Sequence, residues 1–131
     1  MRISALLIAL FVLAATGISG CLSGAETPPA NIQEPRENTD AGVQISLTYL
    51  PDITDATAFE LKVTAHKDYN DDFKNNAYLR DSAGKTYQAL SYEGEGGHHA
   101  GGILRFPKIE SKRFEIVIKD VAGVNERVFK W

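Results

Sequence analysis

Val43, Ile45, Leu47 and Tyr49 alternate with polar residues along VQISLTYL, and Phe59, Leu61, Val63 and Ala65 do the same along FELKVTAH. Successive side chains of a strand point to opposite faces, so this period of two specifies sheets with one face buried. The stretches AYLRD and KTYQALSYE flank Ser82-Ala83-Gly84, and RFEIVIKD and NERVFKW flank Val121-Ala122-Gly123-Val124. Both turns read Asp-x-Ala-Gly, Asp81 to Gly84 and Asp120 to Gly123, a form that suits a type I turn closed by a glycine bulge. They predict two hairpins. Between them GILRFPKI reads as a further strand ended by Pro107.

Seven or eight strands in the roughly 90 residues from Gly42 to Trp131, with no convincing amphipathic helix, predict an all-β fold. The expected form is an antiparallel two-sheet β-sandwich, immunoglobulin-like in architecture only because the Cys and Trp spacing of antibody domains is absent. A small β-barrel is the alternative. Phe59, Phe73, Tyr78, Tyr87, Tyr92, Phe106, Phe114, Phe129 and Trp131 fall mostly at alternating strand positions and read as core, with Trp131 either the last core residue or an exposed ring.

The first residues read differently. Met1-Arg2 is followed by the apolar run Ile3–Ala15, about the length of the central region of an export signal and too short for a membrane span. The junction Ile18-Ser19-Gly20-Cys21 resembles the lipobox of prokaryotic lipoproteins, an aliphatic residue and two small ones before the cysteine that receives diacylglycerol. Ile18 stands where Leu is commoner. Lipidation also accounts for a lone cysteine in an exported chain. An uncleaved N-terminal anchor and plain secretion are the alternatives, and all three place the domain outside the cytoplasm. After Cys21 the segment LSGAETPPANIQEPRENTDAG has three prolines and no aromatic residue, the composition of a tether. The expected divisions are 1–20 signal peptide, 21–41 lipidated cysteine and tether, and 42–131 sandwich. A tether of that length spans on the order of 25 Å.

Loss of Arg2 with the leader takes the formal charge from -3 to -4, and nothing downstream forms a basic run. Nucleic acid and electrostatic docking on anionic lipid are therefore not expected as partners. The expected contacts are the membrane, through the N-terminal lipid, and an unknown envelope or extracellular ligand.

The chain contains no Gly-x-Ser-x-Gly elbow, phosphate-cradling glycine motif or His-Glu-x-x-His helix. A domain of this size leaves little room for an enclosed pocket, so the expectation is a non-enzyme. In HKDYNDDF, Asp68, Asn70 and Asp72 match the first half of a calcium loop, but Phe73 and Leu79 occupy the glycine and bidentate-acid positions, which excludes an EF-hand. The segment otherwise reads as a solvated turn.

All three histidines lie in two places, His66 after the FELKVTA strand, and His98 and His99 in EGEGGHHAGG. On a regular strand adjacent histidines diverge, whereas Gly96, Gly97, Gly101 and Gly102 free the backbone to bring both rings round. His66, His98, His99, Asp68 and Asp72 are thus the candidate ligands of a divalent metal, with imidazole and carboxylate donors suiting Zn²⁺ or Cu²⁺. The only methionine is Met1, lost with the signal, which argues against a soft Cu⁺ carrier. The competing reading of the loop is a structural brace or a partner contact.

The order VTAHKDYNDDF…YLRDSAGKTYQALSYEGEGGHHAGGILRFP resembles a group of uncharacterised prokaryotic exported proteins and lipoproteins. In that group a strand ending in His and an acidic turn precede Asp-x-x-Gly-x-x-Tyr, then Gly-His-His, then an apolar strand with Phe. The resemblance covers Phe59 to Pro107 and implies that His66 and the His-His loop belong to one site, with no activity attached. The group often has Arg after the histidines, where Ala100 stands here, which counts against an anion-binding role at that position. The chain is read as a membrane-anchored lipoprotein acting as a binding or accessory module, with a metal-binding domain as the second reading and a small hydrolase as the third.

Overall fold

The computed structural model describes residues 31–131. The expected signal peptide, Cys21 and the part of the expected tether up to residue 30 lie outside the described residues.

The described residues form a two-layer antiparallel β-sandwich with nine strands among them: β1 (Arg36–Asp40), β2 (Val43–Tyr49), β3 (Thr57–Ala65), β4 (Ala77–Asp81), β5 (Thr86–Gln88), β6 (Ser91–Glu95), β7 (Gly101–Phe106), β8 (Phe114–Val121) and β9 (Val124–Lys130). One sheet has the order β1-β2-β3-β7-β6 and the other β5-β4-β8-β9. The layers do not close on one another, so the barrel alternative is set aside: β1, β6, β5 and β9 remain edges.

The alternation that opened the argument faces inward as expected. Val43, Ile45, Leu47, Phe59, Leu61 and Val63 meet Leu79, Ile116, Ile118 and Phe129 of the opposite layer in one core. At one end an aromatic group closes it, with Phe59 at 4.9 to 6.0 Å from Trp131, Tyr49, Phe114 and Phe106. Trp131 is half-buried and packs against the core, stacked on Phe114 at 5.6 Å, and its indole N–H donates to the Ile32 carbonyl.

Four expectations need correction. The tether was placed through residue 41, yet Arg36–Asp40 is a strand paired with β2 from Arg36↔Leu47 to Asp40↔Val43. Its sequence RENTD carries no apolar alternation, because it is an edge strand held by main-chain pairing and by Arg127 rather than by burial. Arg127 is 1% exposed and donates to Asn38 Oδ1, the Asp40 carbonyl, and the Val43 and Val121 carbonyls. Second, KTYQALSYE is not one strand: β5 and β6 lie in different sheets, and the chain crosses between layers at Ala89-Leu90. This split and β1 raise the strand number to nine.

Third, the two Asp-x-Ala-Gly turns differ. Asp81–Gly84 is the expected type I turn with a glycine bulge: the Gly84 N–H donates to the Asp81 carbonyl and Gly84 has φ +82°. The β8–β9 turn closes instead on the pair Val121↔Val124, leaving Ala122 and Gly123 as a two-residue loop with φ of 55° and 77°. That is type I′ geometry, and Ala41-Gly42 between β1 and β2 repeats it with 48° and 76°. Fourth, the acidic turn contains one helical turn, α1 (Phe73–Asn76), which Asp72 caps.

Candidate functional site

The stretch EGEGGHHAGG forms the β6–β7 hairpin. Strands β6 and β7 pair through Gly94↔Gly102 and Glu95↔Gly101, so three of the five glycines are strand residues. At Gly94 a Cβ would collide with the Gly101 carbonyl and the Gly102 Cα, and at Gly102 it would lie 2.6 Å from the Glu93 carbonyl oxygen. The two backbones approach too closely for side chains here. Only Gly96 to Ala100 form the tip, and the tip is pinned: Val63 and Ala65 N–H groups donate to the Ala100 and His98 carbonyls, which extends β3 along it. Ala100 is itself buried in the core, so the position where the resembling group often carries Arg offers no charged side chain.

The acidic turn closes over this tip. The Tyr69 hydroxyl donates to the Gly97 carbonyl at 2.6 Å, and the Gly97 N–H donates to Asp71 Oδ2 at 3.2 Å. His98 Nε2 lies 3.0 Å from Asp68 Oδ1. Beneath them Phe73 is buried between Tyr69 and Tyr92, ring centres at 6.2 and 5.1 Å, and the Tyr92 hydroxyl donates to the Glu95 carbonyl. Gly97 needs its φ of +92° to present both its N–H and its carbonyl to the turn. Gly96 leaves room for Asp71, whose carboxylate a Cβ there would strike.

These contacts perturb the phenols. Burial, then the Asp71 carboxylate and Tyr92, push the Tyr69 hydroxyl up to about 12. Tyr92 is also raised, first by burial, then by Asp71 and Glu95. Both hydroxyls stay protonated donors at ordinary pH.

Of the five expected metal ligands the structure brings only His98 and Asp68 together. Asp72 spends its carboxylate on the cap of α1, accepting from the Asn75 N–H and Nδ2. His66 and His99 are exposed, and neither imidazole has a hydrogen-bond partner among the described residues. His66 enters the neighbourhood only through its main-chain N–H, which donates to the Gly42 carbonyl. Among the described residues no three of His, Cys, Asp and Glu group as a ready metal site. The residues that organise the clasp, Tyr69, Asp71 and Tyr92, were not among the candidates. Tyr69 was the available signal: an aromatic residue inside an otherwise polar turn must find a surface to cover.

The clasp lies at one end of the sandwich, with Val43, Ala65 and Gly101, and the aromatic group lies at the other. The chain enters β1 at the aromatic end, where Arg36 Nε donates to the Lys130 carbonyl. Comparison with known proteins returned no match to this chain from family models, curated proteins or solved structures.

Proposed function

We propose that this chain is a lipid-anchored extracytoplasmic module that binds an envelope or extracellular partner through the clasped end of its sandwich. The observation that carries the reading is the polarity of the fold. The chain enters at the aromatic end and β1 runs its five residues, on the order of 17 Å, toward the clasp. A diacylglycerol on Cys21 would therefore hold the aromatic end toward the bilayer and leave His98 and His99 facing away from it. A tip pinned by three side chains and two strand hydrogen bonds is pre-organised, which lowers the ordering cost of a contact surface.

Anchoring is tested by Cys21→Ser: the full chain moves from the membrane fraction to the aqueous phase of a detergent partition, and an unchanged distribution overturns it. Contact is tested by a photo-cross-linking side chain at position 99 or at position 83 on intact envelopes. Position 99 yields a discrete adduct and position 83, at the other end, does not; no adduct at 99 above a denatured control ends the reading.

The 3.0 Å approach of His98 Nε2 to Asp68 favours a second reading, in which Zn²⁺ or Cu²⁺ joins the two donors and draws in His99 or His66. After chelator treatment, a metal at 100 times its dissociation constant raises stability by about 2.7 kcal/mol. No thermal shift, or the same shift in His98→Ala/His99→Ala, removes this reading.

A further inference from the structure

The other end of the sandwich carries a groove of about 360 Å³, within the range of small-ligand sites, between the β4–β5 turn, the start of β8 and the end of β9. Arg80, Arg113 and Lys130 line it together with Asp81 and Glu115, although the three cations are far apart in sequence. Both carboxylates are already engaged. Asp81 Oδ1 accepts from the Ala83 and Lys85 N–H groups at 2.9 Å, and Oδ2 accepts from the Tyr87 hydroxyl. Glu115 Oε2 accepts from Arg80 Nε and Nη2 at 3.0 and 2.6 Å, with Lys130 Nζ 3.8 Å from Oε1. This pairing holds Glu115 ionised, its carboxyl lowered first by the Arg80 hydrogen bond. Arg113 is left exposed with no carboxylate partner among the described residues. Phe114 and Trp131, stacked on one another, form the apolar side of the same groove.

We propose that this groove binds a small organic anion, a carboxylate or phosphate ester, with Arg113 and Lys130 taking the anionic group and the Trp131 side taking the apolar part. The Arg113 guanidinium presents paired N–H donors that match two oxygens of either group and has no internal ion pair to break, while Lys130 can turn from Glu115 at 3.8 Å because Arg80 keeps that carboxylate paired. Such a site is independent of the clasp and stands whatever the clasp binds.

The test uses the full chain in ¹H–¹⁵N NMR titrations with phenyl phosphate, and with benzamidine as an aromatic of opposite charge. Phenyl phosphate shifts the Trp131 indole and the Phe114 and Gly84 amides saturably, and benzamidine does not. Arg113→Gln, at an exposed position where the fold is unaffected, weakens the titration about tenfold, as loss of a charge-assisted hydrogen bond does; His98→Ala/His99→Ala leaves it unchanged. Absence of saturable shifts at those three positions, equal shifts with benzamidine, or wild-type affinity in Arg113→Gln overturns the proposal.

Discussion

Arg127 brings a guanidinium into the sandwich interior, where burial lowers its proton affinity and Asp40 partly restores it. Three main-chain carbonyls and Asn38 Oδ1 accept hydrogen bonds from its two terminal nitrogens, so truncation strands buried acceptors as well as opening a void. Arg127→Ala should cost about 3–5 kcal/mol in urea unfolding, and Arg127→Met distinctly less, because an apolar chain of similar length refills the space. Tyr69 gives a second test at this scale. Its folded hydroxyl titrates at about 12 against an ordinary value of 10.0, so the neutral phenol's contribution is fully present below pH 10 and is lost as pH rises through 12. Wild-type stability should fall across that window, followed by chemical denaturation at stepped pH. In Tyr69→Phe the decline should be shallower and the latest tyrosinate absorbance step should disappear.

Turns and hairpins decide the geometry between the residues. Three connections contain Ala-Gly after an acidic residue, at Ala41-Gly42, Ala83-Gly84 and Ala122-Gly123, and strand register alone determines which become two-residue loops. In the type I′ pair alanine occupies a left-handed position that L-residues adopt at a cost. Ala122→Gly should therefore raise stability by on the order of 0.5 kcal/mol, strain relief exceeding the added unfolded-state entropy, read as a small upward Tm shift. Gly102→Ala should do the reverse at the β6–β7 hairpin, costing about 1–3 kcal/mol in the same assay because its Cβ would meet the Glu93 carbonyl and Gly94 Cα of the paired strand as well as the Tyr92 ring. The hairpins of β4–β5 and β8–β9 were legible from turn residues between alternating runs. The break inside KTYQALSYE was not: Ala89 is buried and Leu90 is 57% exposed, so the change of sheet leaves no glycine or proline to mark it.

For the whole molecule the decisive feature is that β1 bridges both layers. It pairs with β2 in one sheet while Arg127 and the Lys130 carbonyl of β9, in the other, hold its side chains. A chain begun at residue 41 should unfold at markedly lower urea than one begun at residue 32, since it removes this strand and leaves Arg127 without Asn38 and Asp40. Equal midpoints would show that β1 contributes little. The same bridge puts the end where the chain enters beside the groove and the His98 tip at the opposite end.

Period-two alternation and turn residues were enough to determine an antiparallel sandwich and most of its strands, because each strand buries one face and its neighbours are joined by short local turns. The lipobox reading likewise rests on contiguous residues alone. The tertiary structure decided what depended on pairing across long separations. It made a polar segment into β1 through a cation 87 to 89 residues away from the groups it binds there. It joined His98 to Asp68 rather than to His66, and gathered Arg80, Arg113 and Lys130 at one groove. Single-residue geometry at distant backbone positions fixes such meetings, and no local pattern of hydrophobicity records them.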